Sequence, residues 1–416
     1  MISIPILTIF ISLAAGFAYI NHRFVKMPFV IGLFFLATIF SFLVILGKGI
    51  DDTFYQNVKH LVEQSQVSKL ILEVMLGFML FAAAFHTNWS DIKKQLKPIS
   101  LMALCGVLLS TLIIAPLFYW ISHWFGINIS FIYCLLFGAL ISPTDPIAVM
   151  GILTKANVPK KIESTIVGES LFNDGVGVVL FIALLETLKL GESSINFAHL
   201  GSIFLQEAVG GSLFGLGLGY ILHQLLKSID HYETEVLLTI AFVMVGYSAS
   251  LMLHLSGALA MVVMGLFVGN YEKNTAMSDI TLEYVHKFWE LVDVILNAIL
   301  FILIALVIVV IDFKTTYLII GLISVAIVLL SRWVVIQVPR KLLPTWVSFD
   351  KKEATVLIWG GLRGGLSLAL VLTLPEGEAK NLLVIVSYCC VVFSILLQGL
   401  TIEKVAKRIA PDVEKG

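Results

Sequence analysis

The chain has 416 residues, of which 59% are hydrophobic and 13% charged, and 28 acidic against 27 basic side chains leave a formal charge of −1. No soluble globular domain has that composition, and it calls for no nucleic-acid partner. Apolar runs of about 20 residues, the length that crosses a bilayer, recur from end to end, whereas the weak alternation of a transmembrane β-barrel is missing.

The first run, predicted as a helix over 3–21, has no basic lead and no small-residue cleavage site, so it reads as a retained helix. The second is predicted over 28–47. The polar stretch between 47 and 69 follows as a surface loop or short interfacial helix. Helices over 69–87, 98–122, 129–154 and 163–188 complete a first group of six. One over 197–226 stands alone, and a second group of six occupies 234–253, 256–271, 284–310, 315–339, 353–374 and 381–403. No loop is long enough to fold by itself, so one transporter domain over 1–416 is expected. It divides into repeat one over about 1–190, a linker helix over about 197–226, repeat two over about 234–404 and a short tail over 405–416.

Charge placement supports the count of thirteen. Loops after odd-numbered spans, together with the tail, hold 19 of the 27 basic residues. The positive-inside rule then places the N-terminus outside and the C-terminus in the cytoplasm, in what reads as a prokaryotic inner membrane. Cys105, Cys134, Cys389 and Cys390 sit in apolar runs without zinc or disulfide spacing, so buried, inert thiols are expected.

Two spans carry helix-breaking chemistry. In the fifth, Pro143 and Pro146 bracket Thr144 and Asp145; each proline removes a backbone donor and disfavours helical geometry in the residue before it. In the twelfth, Gly360, Gly361, Gly364 and Gly365 surround Leu362 and Arg363. With the seventh span as linker, both breaks fall at the same place in each group of six, and six spans per group invert the second relative to the first. That pattern describes an all-α polytopic membrane protein of about 13 transmembrane helices, built from two inverted six-helix repeats with discontinuous helices 5 and 12.

Carboxylates at membrane depth cost roughly 2.5–3.5 kcal/mol each on insertion scales, so Asp145, Glu169 and Asp174 need partners or a purpose. On a helix, Ser170 and Asp174 share one face, and Glu169 and Asn173 a neighbouring one. Asp174, Ser170, Asp145 and the region of Thr144 supply the hard oxygen donors that suit a partly dehydrated alkali cation. Glu169 pairs most simply with Arg363 in the second break; arginine stays protonated and so braces helices rather than carrying protons. Asp174 is then the titrating group.

Four motifs in order carry a family resemblance: Ser142-Pro-Thr-Asp-Pro146, Gly168-Glu-Ser-Leu-Phe-Asn-Asp174, Phe288-Trp-Glu290 followed by Asn297-Ala-Ile-Leu-Phe301, and Trp359-Gly-Gly-Leu-Arg-Gly-Gly365. Together they resemble the sodium/proton exchanger (NhaP/NHE-like) branch of the monovalent cation:proton antiporters, over nearly the whole chain. The resemblance implies a homodimer in which a six-helix core moves against a dimerisation domain. Na+, Li+ or K+ and H+ are its substrates, the lipid bilayer is its surroundings, and no cofactor is needed. The cation site maps onto Asp145 and Asp174 with Ser170 and Thr144, the structural ion pair onto Glu169 and Arg363, and a core-orienting role onto Asn173. The Asn173-Asp174 pair and Arg363 imply electroneutral exchange, in which cation and proton compete for Asp174. Where some relatives carry an acid in the third helix, Ala82 stands here, which leaves the cation preference open.

Plainer readings stand beside these. Asp145 and Asp174 would serve merely as caps of broken helices, or as the dyad of an intramembrane aspartyl protease; a passive cation channel is a third option. Glu290, Asp293 and Asn297 share a face of the tenth span and either line a cytoplasmic funnel or form a polar seam. His86, His223 and His254 read as satisfied interfacial histidines, and Glu186 and Glu207 as solvated groups near span ends.

Overall fold

The computed structural model describes residues 4–156, 158–189, 197–275, 279–311 and 314–407, and every regular element among them is a helix. Among the described residues, nine helices are continuous, long and apolar enough to cross a bilayer: Phe29–Gly47, Val67–His86, Leu96–Trp124, Lys160–Lys189, Leu200–Lys227, Tyr232–Met252, Ile280–Val307, Thr315–Leu342 and Glu378–Ala406. Ile4–Ile20 and the apolar stretch Gly257–Asn270 add two shorter ones. Two further spans are interrupted, Phe131–Ile141 with Ile147–Lys155 and Lys351–Trp359 with Gly365–Val371. In chain order these make thirteen spans, and the interrupted ones are the fifth and the twelfth.

Of the two forms expected after the second span, loop or short helix, the chain takes the helix, Asp52–Gln64, started by the Asp51 carboxylate accepting from the Phe54 N–H at 3.1 Å. It turns Tyr55 and Val62 inward, and the Tyr55 hydroxyl donates to Val309 O at 3.2 Å.

Polarity is arranged as a bilayer requires. Phe42, Leu43 and Leu46 of the second span and Leu237, Val245 and Met252 of the eighth are exposed, while Thr144, Glu169, Ser170, Asn173 and Arg363 are buried. Several buried hydroxyls away from the centre bond back to their own helix, as Thr38 does to Phe34 O at 2.7 Å and Thr111 to Val107 O at 2.9 Å.

The third span, one wall of the central cavity, is anchored by the ninth. There Gly265 and Gly269, four residues apart, lie against the backbone at Phe81 and Phe85; a Cβ on Gly265 would stand 2.7 Å from Phe81 O. Small residues at this spacing let two helix backbones approach closely where lipid offers no hydrophobic drive to pack them.

Candidate functional site

The two interruptions meet. The Asp145 N–H donates to Leu362 O at 2.8 Å, tying one unwound segment to the other. A helix that stops in a membrane leaves its last carbonyls without intrahelical partners. Arg363 answers this for the fifth span, donating through Nη1 to Ser142 O and, at 3.0 Å, to Pro143 O. Arg332 of the eleventh span does the same for the twelfth, where Nη2 donates to Leu357 O at 3.0 Å. Each stump thus faces a fixed positive charge, the sign that a helix C-terminus favours.

The second break is held from behind as well. The Arg363 N–H donates to the Ser394 hydroxyl at 2.9 Å, Ser394 donates to Gln398 Oε1 at 2.6 Å, and Gln398 donates to Trp359 O at 3.1 Å. Ser394 and Gln398 belong to a wide π-turn over Phe393–Gln398 in the last span.

Asn173 fixes the first break against the sixth span. Its Oδ1 accepts from the Thr144 N–H at 3.2 Å and its Nδ2 donates to the Thr144 hydroxyl at 2.9 Å. Thr144 Oγ1 in turn lies 2.9 Å from Ser170 Oγ. The face pairing expected of the sixth span therefore holds: Asn173 turns to the broken helix, and Ser170 and Asp174 turn to a cavity of about 70 Å³. Thr144 and Asp145 line the same cavity, so all four expected ligands come together there.

The two carboxylates differ in their commitments. Asp145 Oδ1 accepts from the Ile147 N–H at 2.9 Å, so Asp145 does cap the second half of its span while also lining the cavity. Asp174 has no hydrogen-bond or ionic partner among the described residues. Gly364 makes the geometry feasible, since a Cβ there would lie 2.5 Å from Asp145 Oδ2. From the third span the cavity meets Leu76, Met79, Leu80 and Ala83, an apolar wall that supplies no carboxylate.

One expected pair is not formed. Glu169 is engaged by Arg332 rather than Arg363, through Nη1 to Oε1 and through Nη2 to Oε2 at 2.9 Å. Arg363 is spent on the carbonyls of the first break, and the two-pronged Arg332 fork matches the carboxylate while its edge also reaches Leu357 O. Two arginines and one buried acid were legible in the sequence. Arg332 lies inside its helix, which runs on to Leu342, and is buried to 5% exposure.

A funnel of about 550 Å³ adjoins the cavity, with Ala83, Pro146, Ile147 and Val167 lining both. It carries Asp91, Glu163 and Asp293 together with His86 and Lys160. Of the three candidates on the tenth span, Asp293 lines this funnel and Asn297 supports it, donating to Asp293 Oδ1 at 2.9 Å; Glu290 is exposed and lines neither space. His86 is bonded on both ring nitrogens, 2.7 Å from Ala82 O and 3.1 Å from His286 O. Glu186 is exposed, but Glu207 is buried at 8% exposure and not solvated as expected. All four cysteines are free, but only Cys134 and Cys390 are buried as expected; Cys389 is half-buried and Cys105 exposed.

A family model described as the transmembrane sodium/hydrogen exchanger matches residues 7–408. A Na+/H+ antiporter NhaP of Pseudomonas aeruginosa is 42% identical over 408 residues, spanning 96% of this chain and 95% of that one. A Na+/H+ antiporter NhaH of Halobacillus aidingensis is 34% identical and covers 84% of each chain. Among solved structures, a sodium proton antiporter of Methanocaldococcus jannaschii at pH 8 superposes with a TM-score of 0.77 over 98% of both chains, at 19% identity, a likeness of fold.

Proposed function

The chain belongs to the transmembrane sodium/hydrogen exchanger family, whose members are secondary transporters and not enzymes, and from that premise we propose that it exchanges Na+ for H+ through the cavity at the two breaks. The observation that carries this reading is that Asp174 and Asp145 line one cavity, and that Asp174, unlike Asp145 and Glu169, has nothing bound to it among the described residues. A carboxylate so placed is costly when bare. Either a proton or a cation relieves the cost, and Asp174 has room for one of them at a time.

Ser170 and Thr144 contribute neutral oxygens to the cation, and Asp145 a second charge held in place by its bond to the Ile147 N–H. Because Asp145 is already committed, only Asp174 changes state during the cycle. One H+ leaves for one Na+ that enters, and exchange is electroneutral. The core changes sides when Asp174 carries either partner and is held when it carries neither, because an uncompensated charge opposes passage through the apolar wall of the third span. Asn173 and Arg363 keep the first break rigid during that movement.

The cavity adjoins the funnel with Asp293, and the positive-inside count places that side in the cytoplasm; the state is then inward-facing. Residence in a prokaryotic inner membrane and assembly as a homodimer, with a six-helix core moving against a dimerisation domain, complete the proposal. Li+ and K+ enter as competing cargoes, since no third-span carboxylate completes the cage. The test is reconstitution of Asp174→Asn: the variant folds and dimerises but shows no cation-driven change in intravesicular pH, and preserved exchange would refute the assignment.

A further inference from the structure

On the side of the molecule away from the funnel lies a second cleft of about 350 Å³. It opens between the start of the third span, the end of the sixth, the seventh, and the turn from the eighth span to the ninth. Glu73, Glu186 and Glu207 line it with Tyr247, His254 and Ser256, and among the described residues no lysine or arginine lines it. Glu73 and Glu186 are exposed at its mouth.

Glu207 is different. It is 8% exposed, faces the cleft, and has no hydrogen-bond partner for its carboxylate among the described residues. Buried polar groups are almost always partnered, and a buried carboxylate without a partner is expensive. The Tyr247 hydroxyl is spent elsewhere, donating to Leu72 O, and the Ser256 hydroxyl accepts from the Leu259 N–H at 3.2 Å and makes no bond to the Glu207 carboxylate. The backbone is nonetheless pinned, with the Ser256 N–H donating to Glu207 O at 3.2 Å, so the carboxylate is held towards the cleft.

The ligand that fits is a cation. Among the described residues no three acids, histidines or cysteines stand close enough to chelate a metal, which points to a hydrated monovalent ion rather than a divalent one. Leu76 lines both this cleft and the central cavity, and so stands between them. We propose that the cleft is a second cation-binding site, where Glu207, with Glu73 and Glu186 at the mouth, receives the hydrated transported ion on the face opposite the funnel. This rests on the antiport reading, which makes the transported cation its occupant. A cleft lined by one sign of charge raises the local counter-ion concentration and entry rate by about 10- to 1,000-fold.

The experiment compares Glu207→Gln with the unsubstituted protein in right-side-out and everted vesicles, presenting Na+ from one face at a time. The expected result is a KM for Na+ raised about tenfold from one face only, with the opposite face and the maximal rate unchanged. Raising ionic strength with an impermeant organic cation shrinks the difference. An unchanged KM on both faces, or an equal change on both, overturns the site. If the unsubstituted protein shows no cation-driven proton flux from either face, the antiport reading itself has failed. The site is then decided by thermal stability: stabilisation by Na+ that persists in D174N and vanishes in D174N/E207Q supports it, and absence of stabilisation in D174N overturns it.

Discussion

The two broken helices are alike in construction and opposite in use. In each, a stump of exposed carbonyls is met by an arginine from elsewhere, Arg363 at Ser142 and Pro143, Arg332 at Leu357. Beyond that they diverge. The fifth span is broken by prolines, carries Asp145 and opens on the cavity. The twelfth is broken by glycines, and its segment offers the cavity only Gly364, Gly365, Leu366 and Ser367. Proline forces a break and leaves the side chains around it free to act; glycine permits one and lets other groups come close. The first break therefore supplies ligands and the second supplies space and bracing.

Substitutions at the bracing side should act on stability first. Arg332→Met strands Glu169 as a buried charge and is expected to cost about 3–5 kcal/mol, read as a large drop in melting temperature in detergent. Adding Glu169→Gln to it should recover most of that loss, because no bare charge is left; a double variant as unstable as the single would show that the pair is not what Arg332 is for. Gly364→Ala acts on the boundary between the two breaks. Its Cβ would meet Asp145 Oδ2 at 2.5 Å, so the ligand must shift. A displacement of that order should weaken exchange by about a hundredfold with little change in melting temperature. The smallest effect is expected at Ser170→Ala, which removes one neutral oxygen and leaves both carboxylates. Its KM for the cation should rise about tenfold, corresponding to about 1.4 kcal/mol. Equal effects from Ser170→Ala and Ser367→Ala would erase the distinction between a ligand-bearing and a bracing break.

Much of this was legible in the sequence because it is local. Prolines and glycines mark the breaks wherever the chain goes, and positions 170 and 174 share a helix face in any fold. Partner choice is not local. Two arginines and one buried glutamate permit two pairings, and only the packing that brings Arg332 of the eleventh span to Glu169 of the sixth selects Arg332. Register across helices was equally hidden: the third span turns Met79, Leu80 and Ala83 to the cavity, whereas Ala82 is not among its lining residues. Glu207 was misread for a related reason. Its nearness to a helix end suggested water, but the turn at Ser256 folds over it.

The central claim is that a cation and a proton compete for Asp174. The direct measurement is the KM for Na+ in reconstituted vesicles as pH is lowered, with the membrane potential clamped and unclamped. Competition predicts that KM rises with falling pH, by up to about tenfold per unit, while the maximal rate at saturating Na+ and the insensitivity to clamping are kept. A maximal rate that collapses with pH at constant KM, or a rate that follows the imposed potential, would contradict a single exchangeable carboxylate.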